Sequence, residues 1–180
     1  APYIIYNGAS SARGALGYVE AAAEIWEQIS SNAERAAIRN VCIPGGNGGL
    51  AAGFIYGTAL LGNPFHVELI SVEHEAEPLR EIISAFLKDL EKLCGVPMPC
   101  PLEQTATLHG AYRFGGWGVI TPEVEEFCIR FARTEGIFIE KVYTCKTLYG
   151  MCDLAKKGYF HDGACYLHSG GIGALFSQYH

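Results

Sequence analysis

The chain has 180 residues, 49% of them hydrophobic, 18% charged, and a formal charge of −6, a composition that buries one ordinary core and excludes a disordered chain. Its 13 Lys and Arg form no basic stripe and no apolar run reaches membrane length, so neither nucleic acid nor a bilayer is expected as a partner. Seven cysteines, odd in number and without a CxxC pair, argue against a zinc or disulfide framework and predict reduced thiols in a soluble cytoplasmic protein.

Residues 2–6, Pro-Tyr-Ile-Ile-Tyr, predict a short buried strand, and the Asn7, Gly8, Ser10, Ser11 run turns into an Ala-rich helix over 12–36. A second strand over 40–43 stops at Pro44 and a glycine run, after which 50–61 returns to small and apolar residues as a helix. A third strand is predicted over 67–72, followed by an amphipathic helix over 77–93 with Leu79, Ile83, Phe86 and Leu90 on one face. The Pro- and Gly-rich stretch 94–117 reads as a loop, with only a brief strand-like run over 105–108. Thr121 before Pro122 is an N-cap with proline at the first helical position, opening a helix that Gly136 closes. A further helix over 146–157 and a strand over 164–168 complete the pattern. Strands alternating with helices indicate an α/β fold with a mainly parallel sheet.

The glycine run Gly45, Gly46, Asn47, Gly48, Gly49 lies between a strand and a helix, where backbone N–H groups and a helix N-terminus can cradle a phosphate. It lacks the Lys-Ser/Thr of a nucleotide P-loop and the spacing of a dinucleotide fingerprint. Two other glycine-polar loops, 8–18 and His168-Ser169-Gly170-Gly171, and the helix opening Tyr143-Thr144-Cys145-Lys146 fall where a parallel sheet would gather them at one edge. No His, Cys and carboxylate cluster has metal-site spacing. His168 and His109 read as hydrogen-bonded structure, and Glu20, Glu24, Glu123, Glu125 and Glu126 as solvated faces.

These segments, taken in order with Arg133-Thr134-Glu135-Gly136-Ile137, Leu148-Tyr149-Gly150, Gly158-Tyr159-Phe160 and the ending His-Ser-Gly-Gly-Ile-Gly-Ala-Leu-Phe, resemble the D-cysteine desulfhydrase and 1-aminocyclopropane-1-carboxylate deaminase family. These are fold-type-II pyridoxal-phosphate enzymes, and the resemblance covers almost the whole chain. It implies a three-layer α/β fold with a mainly parallel twisted sheet, like that of the tryptophan synthase β chain. It also implies pyridoxal 5'-phosphate as cofactor and a small amino acid as substrate.

By that resemblance Gly45, Gly46, Asn47, Gly48, Gly49 and Leu50 would surround the cofactor phosphate. Asn47 stands where the family often has serine, and Leu50 where it commonly has a phosphate-binding threonine. Ser169 would face the pyridine nitrogen, where a hydroxyl draws electrons less strongly than a carboxylate and favours prompt β-elimination. Thr144 would also bind the cofactor, and it stands where the deaminase branch has an acid, which points to desulfhydrase-like chemistry. Tyr143 would meet the substrate and take part in proton transfer. Trp117 replaces a second substrate-facing tyrosine, and its indole N–H donates but cannot act as a phenolic acid or base. Cys145 replaces a glycine.

The family's catalytic lysine would lie upstream of the matched region, and Lys146 matches a non-catalytic position. Residues 1–180 are therefore expected to be the C-terminal cofactor-binding part, without the lysine-bearing segment and most of the small domain, and inactive alone. The resulting expectation is a D-cysteine desulfhydrase-type lyase, with 1-aminocyclopropane-1-carboxylate deaminase or sulfo-lyase chemistry as the enzymatic alternative and a catalytically dead scaffold or binding subunit as the non-enzymatic one. A homodimer or a complementing N-terminal segment is the implied protein partner.

Overall fold

The computed structural model describes residues 2, 4, 5 and 7–178. Among them, strands β1 (Ile38–Gly45), β2 (His66–Ser71), β3 (Ala106–His109) and β4 (Gly163–Tyr166) form a sheet in the order β3-β2-β1-β4, with every neighbouring pair parallel. Helices α1 (Ala12–Ser30), α2 (Gly49–Leu60) and α3 (Ala76–Cys94) share a core with Val41, Ile43, Val67 and Leu69 on one sheet face. The single turn α4 (Leu102–Thr105) leads into β3. On the other face α5 (Pro122–Glu135) and α6 (Thr144–Lys156) pack together through Val124, Phe127, Cys145 and Leu148. A short α7 (Ile172–Ser177) follows β4. The result is the expected three-layer α/β arrangement, and covering both faces explains why residues 41–45 of β1 and 67–71 of β2 are buried without alternation, the polar Glu68 and Ser71 included.

Local chemistry fixes the elements. Ser11 caps α1 by accepting from Gly14 N, and Thr121 caps α5 by accepting from Val124 N. Helix α2 is buried all round over residues 51–59, as a helix apolar on every side must be. Its Gly53 and Gly57 lie against the carbonyls of Ala15 and Val19 on α1. A side chain at either position would hold the two helices apart.

Several expectations change. Of the predicted opening strand, Tyr3 and Tyr6 lie outside the described residues, and Pro2, Ile4 and Ile5 are exposed without strand pairing. Helix α1 stops at Ser30, not residue 36, because Asn32 turns its side chain to accept from Glu34 N, a local bond that competes with helix continuation. In the stretch 94–117 the turn α4 was not expected, whereas the strand-like run over 105–108 is present as β3, which pairs with β2 from Val67–Ala106 to Ile70–His109.

Candidate functional site

Because the strands are parallel, the loops leaving their C-terminal ends converge on one edge. At the end of β1 the chain turns through residues 46–48 into α2. Gly48 adopts φ 87°, and a Cβ there would come 2.6 Å from Ile82 Cγ2, so glycine alone fits this turn. No side chain caps α2. Its first N–H groups, which have no carbonyl within the helix, are therefore left for something else. Gly46, Asn47, Gly48, Gly49 and Leu50 line a cavity of about 380 Å³.

The facing walls come from distant parts of the chain. Trp117, Glu140, Tyr143, Ser169, Gly170 and Gly171 line the same cavity, as do Gly8, Ser10 and Tyr18. Gly46 lets the Tyr143 ring close in, since a Cβ at 46 would be 2.9 Å from Tyr143 Cε1. Trp117 Nε1 donates to the Tyr143 hydroxyl at 2.6 Å. Burial raises the phenol pKa, the indole bond lowers it, and the charges of Glu73 and Glu140 raise it again. Beside this ring, Oε2 of Glu73 is buried with no hydrogen-bond partner among the described residues.

Glu140 is the wall residue that the sequence reading missed. It is 2% exposed, and its carboxylate accepts from the backbone N–H of Val142 at 2.7 Å, Tyr143 at 2.5 Å and Thr144 at 2.6 Å. A negative group at the start of α6 satisfies the orphan donors and complements the helix dipole. The signal was an acid just ahead of a helix, hidden because the helix was expected to start at Lys146 and not at Thr144.

Seven of the nine cofactor- and substrate-facing residues expected from sequence other than Tyr143 itself line this cavity together with it, and two do not. Gly45 ends β1 with its α-carbon turned to Leu79 and Leu69 in the core. Thr144 is buried with its hydroxyl bonded to Glu140: it donates to the carbonyl at 3.1 Å and accepts from the backbone N–H at 2.7 Å. Lys146 is fully buried, donating to the carbonyls of Arg113 at 2.9 Å and Gly116 at 2.7 Å. It is a brace for the loop that carries Trp117, and burial lowers its pKa. His168 bonds the Phe138 carbonyl and His109 the buried Glu68, both structural roles as expected. Among the described residues no cluster of His, Cys, Asp and Glu could hold a metal, and no helix is long and apolar enough to cross a membrane.

Residues 1–170 match the family described as pyridoxal-phosphate dependent enzyme. The chain belongs to this family. Within it, proteins named "Putative 1-aminocyclopropane-1-carboxylate deaminase" are similar over 175 residues, at 31% identity in Pyrococcus abyssi, 33% in Pyrococcus horikoshii and 34% in Pyrococcus furiosus. Each alignment covers 97% of this chain and 51% of the relative, so the chain spans about half the length of the curated relatives it matches. A crystal structure of an ACC deaminase homologue superposes with a TM-score of 0.82 at 31% identity, covering 98% of this chain and 53% of that one.

The pyridoxal-phosphate family fits what the crevice offers. An uncapped helix N-terminus at Gly48 suits a phosphate dianion, and the cavity that begins there extends to an aromatic ring at Tyr143 and a hydroxyl at Ser169.

Proposed function

We propose that this chain builds the cofactor side of a pyridoxal-phosphate enzyme that deaminates a small amino acid of the 1-aminocyclopropane-1-carboxylate kind. The observation that carries this reading is the single cavity joining residues 46–50 to Tyr143 and Ser169. Pyridoxal phosphate, when bound, supplies an aldehyde for the substrate amine and a ring that draws electrons from the α-carbon. The N–H groups at the start of α2 would hold its phosphate, and the Ser169 hydroxyl would meet its ring nitrogen. Tyr143 would hold or move a proton at its phenol oxygen, and Trp117 would bound the space beside it.

Glu140 supports the deaminase reading over the D-cysteine desulfhydrase one. Thr144 had pointed away from a deaminase because it is not an acid, yet its N–H and hydroxyl both bond Glu140, an acid that is itself among the residues lining the cavity. D-cysteine desulfhydrase chemistry remains the second reading, on the strength of the Ser169 hydroxyl, which lines the same cavity.

Two measurements test this. Titrated with pyridoxal phosphate, the chain should bind it in competition with inorganic phosphate. Enzyme containing this chain should release keto acid faster from 1-aminocyclopropane-1-carboxylate than from D-cysteine. The opposite preference would install the second reading, and no keto acid from either, with no cofactor bound, would leave a scaffold.

A further inference from the structure

The loop bearing Trp117 is a built feature. Gly115, Gly116 and Gly118 all take positive φ, so this turn cannot be traced by ordinary residues. The buried ammonium of Lys146 grips it from below through the carbonyls of Arg113 and Gly116, the residue just before the tryptophan. Arg113 also pairs with Glu75 at the start of α3. Trp117 itself is 57% exposed, so burial of its ring does not explain this bracing.

What the bracing fixes is the bond from Trp117 Nε1 to the Tyr143 hydroxyl at 2.6 Å. An indole N–H donates and never accepts, so the phenol oxygen must be the acceptor and its own hydrogen cannot point back at the tryptophan. Among the described residues nothing accepts that hydrogen. With the Tyr143 ring edge against Gly46 and the residue lining the cavity, the free direction is inward.

We propose that Trp117, braced by Lys146, is a positioning residue for Tyr143 that makes its phenol a one-way proton donor into the cavity. The ligand atom it meets is a hydrogen-bond acceptor on the bound amino acid. This rests on the deaminase or lyase reading, in which Tyr143 faces substrate. Tyrosine at 117 would accept as readily as donate, and the direction would be lost. The indole also supports the phenolate when it forms, in opposition to the effect of burial.

The test follows the ionisation of Tyr143 in the intact chain, by the ring-carbon resonance of labelled tyrosine, assigned with Tyr143→Phe. Trp117→Phe removes the donor at an exposed position and should raise the Tyr143 pKa, because the indole bond that lowers it is lost. Trp117→His, which keeps a ring N–H, should recover part of the shift. In the active enzyme the alkaline limb of the turnover profile should move up with Trp117→Phe, because the protonated phenol is the working form. Equal titration of Tyr143 with and without the indole, or an unmoved limb, overturns the proposal. Failure of the wild-type chain to bind pyridoxal phosphate would instead count against the functional reading, and the titration distinguishes the two.

Discussion

Three backbone N–H groups converge on the Glu140 carboxylate, and that one side chain sets both the start of α6 and the position of Tyr143. Glu140→Gln keeps the size but puts an amide N–H₂ where an acceptor is needed, so unfolding stability should fall by about 1–3 kcal/mol, read from the urea midpoint. An unchanged midpoint would mean that water satisfies these donors as well as the carboxylate does. Much of the site was legible at this scale: the glycine turn, Tyr143, Trp117 and Ser169 all announce themselves by residue type and by resemblance. Glu140 was not, because its role depends on where a helix begins, and boundaries are poorly marked where Thr and Cys open the helix. Gly45 and Thr144 were assigned to the site from their place in a motif, whereas the strand ending and the Glu140 contact turn them elsewhere.

Between elements, the closest approach is the crossing of α1 and α2. A Cβ at Gly53 would lie 2.1 Å from the Ala15 carbonyl oxygen, and one at Gly57 would lie 2.7 Å from that of Val19. Gly53→Ala gains about 1 kcal/mol of helix propensity but collides with backbone that cannot rotate away, and overpacking of this kind costs about 3 kcal/mol. Loss of stability should win. Gly17 on α1 is the control: nothing lies within 4 Å of its Cβ position, so Gly17→Ala should stabilise by about 1 kcal/mol in the same denaturation series. The long helices were readable because their apolar residues recur at helical spacing. Strand β3 showed even inside a Pro- and Gly-rich stretch, as the strand-like run over 105–108, whereas α7, at six residues, is too short to show a period.

Over the whole molecule, the buried thiols govern the response to alkali. Burial pushes the Cys42 thiol well above its ordinary 9.0, and the neighbouring Cys128 together with burial does the same to Cys145. The folded state thus keeps protons that the unfolded chain releases, so stability falls as pH rises above 9.0, by up to about 1.4 kcal/mol per pH unit for each group. Burial raises Tyr112 and Tyr166 above 10.0, which adds to the decline past that pH. Lys146, lowered from 10.5 by burial, works in the opposite direction, but among the described residues it is one group against the ten thiols and phenols whose pKa is raised. Urea midpoints should therefore drop steadily above pH 9.0, and the double variant Cys42→Ala, Cys145→Ala should flatten the early part of that drop. The turn at Gly48, wedged against Ile82 and Phe86 of α3, carries a last consequence. Its shape is imposed by the helices around it, so an arriving anion finds its donors already aimed and gives up almost no chain freedom. Affinity there is set while the protein folds, and substitutions on α3 far from any ligand will tune it.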